Sequence, residues 1–544
     1  MSLPADPPPV ERLLGRGRGT LGELFLARAE RSAERPFLRF GERTWTYEEG
    51  MWEAQRFAGW VLAQAPGGDA SGMRVASFLP NRPAAMWAWL GTLLAGAVYV
   101  PLNRSHRGAL LEDMVERSGA RILVADRDGT DVLSRLSLTE IDTLLVVEGA
   151  AEIEFGGRLA AWEQVAASEP RTRPATDPRA LAEVMYTSGT TGRSKAVLLP
   201  HNYLLRGSGW VAWSLSLRED DVVHGWLPLF HIGGQLDMVL CFIAAGGAIA
   251  LHPTFSQSRF WSEVEACGAT HFIGFSNVLE IIWAMESTPT DRETTLRGGI
   301  AGGIPPNLHR GFEERFDLRL YDVYGMTESE PLAFPHPGTL PPVGAAGQPN
   351  PDFELAILGE SGERLPADSL GEIVARPLVP DVTFAGYEGD VEAYAEATAG
   401  LWIHTGDLGR IDEQGNAYFV DRIKHAIRRR GENISTFELE RVLTAHPQVA
   451  DCSAVGVPSP LGEEDVKVMV VPAPDAALDP AALREWCEKE MASFMVPRYV
   501  EVVESLPRGP TGKVLKEELV GVSESVFDAE AERFRDNADT GRVR

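Results

Sequence analysis

Through the first four hundred residues, short aliphatic and β-branched runs alternate with longer helical stretches. This alternation restricts the chain to α/β layers, because each strand must find cover for both of its faces. Residues 73–103, MRVASFLPNRPAAMWAWLGTLLAGAVYVPLN, read as strand, helix and second strand, with the helix over 82–94. That helix is so rich in Ala, Trp, Met and Leu that it reads as core. Further strands are expected at 122–125, 143–147, 248–251, 271–275 and 319–324, followed by a β-rich region at 341–421 cut by Gly and Pro turns.

Near Asp421 the pattern changes. A charged segment leads into STFELERVLTAH (435–446), where Ser435 is placed to cap a helix and Glu438 to complete a capping box. Strands at 449–457 and 466–471, a helix at 480–491 and a strand at 499–503 follow. The expected fold is therefore a large layered α/β domain over residues 1–421 and a small α+β domain over 422–525, with a charged tail at 526–544. The small domain is of ordinary size at about a hundred residues. A hinge is expected at 422–424.

One polar loop interrupts the apolar pattern. In YTSGTTGRSKAVLLPH (186–201), Thr187, Ser188, Thr190 and Thr191 surround Gly189 and Gly192, and Lys195 follows. Open backbone N–H groups, hydroxyl donors and one cation are what a polyphosphate requires. This is not a Walker loop, whose lysine directly follows the last glycine; here Arg193 and Ser194 intervene. Taken alone, the loop reads equally as a turn between two strands.

TSGTTGxxK resembles the phosphate-binding signature of the adenylate-forming enzymes, the superfamily of acyl-CoA ligases, peptide-synthetase adenylation domains and luciferases. The resemblance continues in order through TWTYEE (44–49), where Thr44–Tyr47 resembles the family's entry strand, YGMTES (324–329), HTGD (404–407), DRIKHAIRRRGENIS (421–435) and PTGK (510–513). The GENIS segment and the PTGKVLKEEL tail are most similar to the crotonobetaine/carnitine and medium-chain acyl-CoA ligases.

The resemblance implies roles residue by residue. Thr187, Ser188, Gly189, Thr190, Thr191, Gly192 and Lys195 would hold the β- and γ-phosphates of ATP. Tyr324 would lie against adenine, Thr327 would contact the α-phosphate, and Glu328 would help hold Mg²⁺, a hard cation suited to carboxylate oxygen. Asp407 would accept the ribose hydroxyls, with Arg422 beside it. Lys513 would reach between carboxylate and α-phosphate, where charge develops. Lys424 matches the hinge, and Gly431 the loop bordering the thiol tunnel. Arg428, Arg429 and Arg430 form a basic run suited to CoA phosphates, because guanidinium pairs bidentately with phosphate. LPLFHIGGQ (227–235) resembles the acyl-CoA ligase pattern, with His231 near the carboxylate end of the acyl pocket. A peptide-synthetase domain usually offers an aspartate there, so an amino-acid substrate is disfavoured. The small residues of GGIAGGIPP (298–306) suggest room for a sizeable apolar or ring-containing acid, or else simply turns.

Charge and cysteine usage narrow the remaining classes. With 78 acidic against 51 basic residues the formal charge is −27, which argues against nucleic acid as a partner. Four cysteines without CxxC spacing fit a reducing compartment. The longest apolar run, 239–251, is too short to span a bilayer, and the N-terminus lacks a signal-peptide core, so the cytoplasm is the expected location. The function expected is ATP-dependent acyl-CoA ligation, with ATP/AMP, Mg²⁺ and coenzyme A. Two alternatives stand beside it: an enzyme running one half-reaction, on a carboxylic acid or a preformed acyl-adenylate, and a silent nucleotide-binding protein. A homodimer is one assembly left open by the sequence.

Overall fold

The computed structural model describes residues 7–15, 17–148, 153–187, 194–304, 306, 308–359, 361–422, 427–430, 432–434, 436–460, 462–474, 476–507, 514, 516–522 and 526–529. Two compact units account for the chain. One comprises 1–104, 115–187 and 196–423, and the other comprises 105–114, 188–195 and 424–544.

The large unit is built on two sheets of eight and seven strands. The first runs in the spatial order Gly386–Tyr387, Lys195–Pro200, Leu181–Thr187, Val98–Pro101, Arg74–Phe78, Ile122–Asp126, Thr143–Val147, Arg158–Ala161. From Leu181–Thr187 through to Arg158–Ala161 the pairings are parallel, for example Val75 opposite both Tyr99 and Ile122. The second contains Val222–Gly225 between Ala248–Leu251 and His271–Phe275, followed by Gly298–Gly302 and Arg319–Asp322. Helix Pro83–Leu94 has a buried residue at every position after Pro83, as its composition predicts. A four-stranded antiparallel sheet, Phe353–Leu358, Gly371–Pro377, Ile403–Ile411 and Ala417–Arg422, forms the β-rich region.

Three local expectations need correction. Tyr47 does not end a strand; strand Arg43–Thr46 gives way to helix Tyr47–Gln64. The cause is a capping box: Glu49 N–H donates to Thr46 Oγ1 at 3.2 Å, and Thr46 N–H donates to Glu49 Oε2 at 2.9 Å. The expected strand over 319–324 breaks at Val323 into Arg319–Asp322 and Tyr324–Met326, which belong to different sheets. Gly298–Gly302 is an interior strand, not a turn. Its glycines make room for neighbours, since a Cβ at Gly299 would lie 2.5 Å from the ring of Phe272.

In the small unit, hairpin Ile427–Arg429/Glu432–Ile434 precedes helix Thr436–Thr444. Val449–Pro458, Glu464–Pro472, Tyr499–Val502 and Phe527–Asp528 form its sheet, and helix Pro480–Glu490 completes the α+β pattern. Ser435, the expected cap, lies outside the described residues.

Candidate functional site

The YGMTES segment folds as a tight hairpin. Strands Tyr324–Met326 and Ser329–Phe334 are antiparallel with Met326 opposite Ser329, so Thr327 and Glu328 form the two-residue tip. Both tip residues are held by tyrosines distant in sequence. Tyr203 OH donates to the Thr327 carbonyl at 3.0 Å, and Tyr387 OH donates to Glu328 Oε1 at 2.7 Å. The Glu328 carbonyl accepts from Thr383 Oγ1 at 2.8 Å and from the Phe384 N–H at 2.9 Å. Tyr387 sits opposite Val197 in the first sheet, on the strand that begins at Lys195. The tip is thus tied to the strand that leaves the hydroxyl-rich loop.

At the other end of the hairpin, Tyr324 OH donates to Asp407 Oδ2 at 2.9 Å. Asp407 is buried in strand Ile403–Ile411, and its N–H donates to Thr405 Oγ1 at 3.1 Å. Thr405 Oγ1 donates in turn to the Ile373 carbonyl at 2.6 Å. Arg422 ends the neighbouring strand directly opposite Asp407. The aromatic ring of Tyr324, the Asp407 carboxylate and the Thr327–Glu328 tip are therefore brought together by one hairpin and one strand.

Behind the tip lies a buried acidic pair. Burial raises the carboxyls of Asp237 and Glu330, and the two oppose each other's ionisation, so the pair retains a proton near neutral pH. Glu330 packs so closely on Gly325 that a Cβ there would lie 2.4 Å from Glu330 Oε2. Burial also pushes Glu183, in the strand before the loop, up to about 8, against the opposing effect of a 2.6 Å hydrogen bond from Trp89 Nε1.

His231 heads the turn into a wide π-helix, Gly233–Leu240, with its N–H donating to the Pro228 carbonyl at 3.0 Å. Gly234 is required there, because a Cβ would fall 2.1 Å from the Pro228 carbonyl oxygen. Asn81 clamps the same segment, donating to the Trp226 and Leu227 carbonyls at 3.1 and 3.0 Å and accepting from Leu229 N–H at 3.1 Å. At Gly302 the nearest atoms to an added Cβ are those of the Phe275 ring, at 3.4 Å. Next to it, the Asp322 carboxylate receives the N–H groups of Gly303 and Ile304 at 3.1 and 3.3 Å.

Thr187 ends strand Leu181–Thr187, and Lys195 begins Lys195–Pro200. Ser188, Gly189, Thr190, Thr191 and Gly192 lie outside the described residues, as do Lys424, Gly431 and Lys513. In the small unit the arginine run divides. Arg429 is buried, with Nε on Asp465 Oδ1 at 3.0 Å and Nη1 on the Phe494 carbonyl at 3.1 Å, so its guanidinium braces that unit. The Arg428 N–H donates to Glu464 Oε2 at 2.9 Å, and Arg430 is exposed with φ at 56°. Tyr203, Tyr387 and Thr383 were not marked by sequence, because no local pattern pairs them with YGMTES.

Mg²⁺ fits the tip. With Tyr387 on Oε1, the second oxygen of Glu328 has no protein hydrogen-bond partner among the described residues. One carboxylate together with phosphate and water oxygens is the usual way this ion is held.

Comparison with known proteins gives the family. The model of the AMP-binding enzyme family matches residues 25–387, and that of the AMP-binding enzyme C-terminal domain matches residues 438–513. Crotonobetaine/carnitine–CoA ligase of Salmonella typhi is 32% identical over 462 residues, covering 83% of this chain and 89% of the relative. The same enzyme of Citrobacter koseri is 32% identical over 488 residues, 88% of this chain and 93% of its own. Among solved structures, the amide bond synthetase McbA of Marinactinospora thermotolerans superposes with a TM-score of 0.78 at 27% identity, covering 91% of this chain and 99% of that one. The o-succinylbenzoate CoA synthetase of Bacillus subtilis shares the fold, with a TM-score of 0.76 at 24% identity and coverage of 91% and 98%. The chain belongs to the AMP-binding enzyme family, in the acyl-CoA synthetase branch of the adenylate-forming enzymes. It is an AMP-forming acid–thiol ligase by class. Among the described residues no helix is long and apolar enough to cross a membrane.

Proposed function

We infer that the protein carries out both halves of acyl-CoA synthesis on a carboxylic acid of some size. In the first half the acid's carboxylate oxygen attacks the α-phosphorus of ATP, forming acyl-adenylate and expelling pyrophosphate. In the second, the CoA thiol attacks the acyl carbon, AMP departs with the bonding pair, and the thiol proton goes to solvent. The observation that carries this reading is the hairpin, which has Tyr324, hydrogen-bonded to Asp407, at one end and Thr327 and Glu328 at the other.

The residues divide the work. Asp407, held by Tyr324, accepts from ribose hydroxyls. Thr327, fixed through its carbonyl by Tyr203, presents a hydroxyl to the α-phosphate. Glu328, fixed by Tyr387, holds Mg²⁺, which when bound offsets negative charge on the leaving pyrophosphate. The loop from Thr187 to Lys195 takes the outer phosphates. By the family resemblance, Lys513 serves adenylation, Lys424 is the hinge residue, and Gly431, Arg428 and Arg430 serve the CoA step. Such preorganised positioning and charge placement is what phosphoryl chemistry asks of a protein.

The position at Gly302, where an added Cβ would meet the Phe275 ring in ordinary contact, together with His231 and the clamped 226–229 segment, supports an apolar or ring-containing acid. A panel including acetate, propionate, crotonobetaine, carnitine, medium-chain and aromatic acids tests this; acetate or propionate outrunning all larger acids would refute it. The likeness to an amide bond synthetase favours one further acceptor, an amine in place of CoA, so each acid is run with either nucleophile.

A further inference from the structure

Away from the hairpin, three ligand-bearing side chains converge in the seven-stranded sheet. His224 lies on strand Val222–Gly225, His252 directly follows strand Ala248–Leu251, and Glu263 projects from helix Phe260–Cys267. The His252 N–H donates to the Gly225 carbonyl at 2.8 Å, which fixes the two histidines side by side. Their ring centroids are 4.1 Å apart. Both rings turn a nitrogen to the same carboxylate oxygen: His224 Nε2 is 3.2 Å and His252 Nδ1 3.6 Å from Glu263 Oε2. The ligand atoms of all three lie within 4.8 Å of one another. Arg259, one turn earlier on the helix, holds the other carboxylate oxygen at 2.8 Å and so aims Oε2 at the imidazoles.

The two nitrogen–oxygen spacings match a metal's coordination sphere. Tetrahedral zinc with bonds near 2.0–2.2 Å places its ligand atoms about 3.3–3.6 Å apart. Two imidazoles and one carboxylate, with water in the fourth position, are a donor set for a borderline divalent ion and not for Mg²⁺. We propose that His224, His252 and Glu263 form a binding site for a divalent transition metal of the Zn²⁺ class, separate from the Mg²⁺ held at Glu328.

Access and protonation are consistent with this. His252 and Glu263 keep 20% and 18% side-chain exposure, whereas His224 keeps 2%, so the site has a closed floor and an open rim. Burial lowers both histidines, His224 to about 4, which leaves the imidazoles neutral as ligation requires. Burial alone would raise Glu263, but on balance it is lowered, with the hydrogen bond from Arg259 the leading cause, and stays ionised. The site also reaches the acyl segment, because the Asn81 carboxamide that clamps Trp226 and Leu227 also donates to the His252 carbonyl at 3.2 Å. A metal here would brace the start of the chain that leads to His231.

The test uses the full chain, stripped with chelator and then titrated with Zn²⁺ against a competing chelator in excess Mg²⁺ and ATP. Co²⁺ serves as spectroscopic probe. The site predicts one equivalent bound, with tetrahedral Co²⁺ absorption and quenching of Trp226, whose ring centroid is 5.2 Å from that of His224. His252→Ala and Glu263→Gln should each weaken binding by at least about tenfold, and His252→Cys should restore a shifted Co²⁺ spectrum. Because His252 and Glu263 stand at the open rim, their variants avoid the folding risk of changing His224. Wild type and both rim variants binding alike, or wild type failing to bind in the micromolar range, would overturn the proposal.

Discussion

Tyr387→Phe removes a single oxygen, and the structure says what that oxygen does. Tyr387 OH donates to Glu328 Oε1 at 2.7 Å, with both side chains buried. A hydrogen bond to a charged partner contributes about 1.5–3 kcal/mol. If all of it serves to orient the carboxylate for Mg²⁺, its loss corresponds to about 10- to 150-fold in kcat/KM for adenylation. The ring remains and still packs on Phe384, with centroids 5.1 Å apart, so the fold should be retained. The assay is pyrophosphate release titrated with Mg²⁺ at saturating ATP and acid. The half-saturating Mg²⁺ concentration should rise while the KM for the acid stays unchanged. In a Glu328→Gln background the same Tyr387→Phe change should do little further harm, since a residue acting through another has no effect once that one is gone. An unchanged Mg²⁺ dependence, or additive losses in the double variant, would refute the positioning role.

Three other outcomes follow from the same geometry. Asp407→Ala should raise the KM for ATP by roughly 10- to 100-fold, the loss of one or two charge-assisted hydrogen bonds, with the KM for the acid little changed; steady-state kinetics checks this. Glu183 is pushed up to about 8 from an ordinary value of 4.5, so the folded chain holds a proton there that the unfolded chain releases. That contribution is fully present below the unfolded value, weakens by up to about 1.4 kcal/mol per pH unit as pH rises, and levels off above the folded value. Melting curves of Glu183→Gln should therefore fall less steeply than wild type between pH 5 and 8, and parallel curves would contradict the burial argument. Lys513→Ala should cripple adenylation by several orders of magnitude while sparing CoA transfer from a supplied acyl-adenylate, and equal loss in both halves would remove the proposed division of labour.

Much of the fold was readable because strands and helices here carry their own signals: aliphatic runs for the sheets, and an apolar helix at Pro83–Leu94 buried almost throughout. Boundaries failed where side-chain chemistry took over, as at Tyr47, where the Thr46–Glu49 capping box starts a helix. Gly298–Gly302 misled for a different reason. Glycine signals a turn locally, yet here it makes room for the Phe272 ring on the next strand, a contact between distant segments. The site shows the same split. Tyr324, Thr327, Glu328 and Asp407 stand in motifs, and the structure brings Tyr324 to Asp407. Tyr203 and Tyr387, which hold the tip, lie about 124 and 59 residues from the atoms they bind, and no spacing rule reaches that far. The arginine run was legible as charge but not as geometry, because only the fold buries Arg429 on Asp465.

The most direct test of the central claim is stoichiometry. Purified protein is given ATP, Mg²⁺ and the best acid of the panel, with and without CoA, while pyrophosphate, AMP and acyl-CoA are followed together. The account predicts that pyrophosphate and AMP form in equal amounts with acyl-CoA, and that all three depend on both acid and CoA for turnover. Acid-dependent pyrophosphate release that CoA neither accelerates nor converts to acyl-CoA would contradict it.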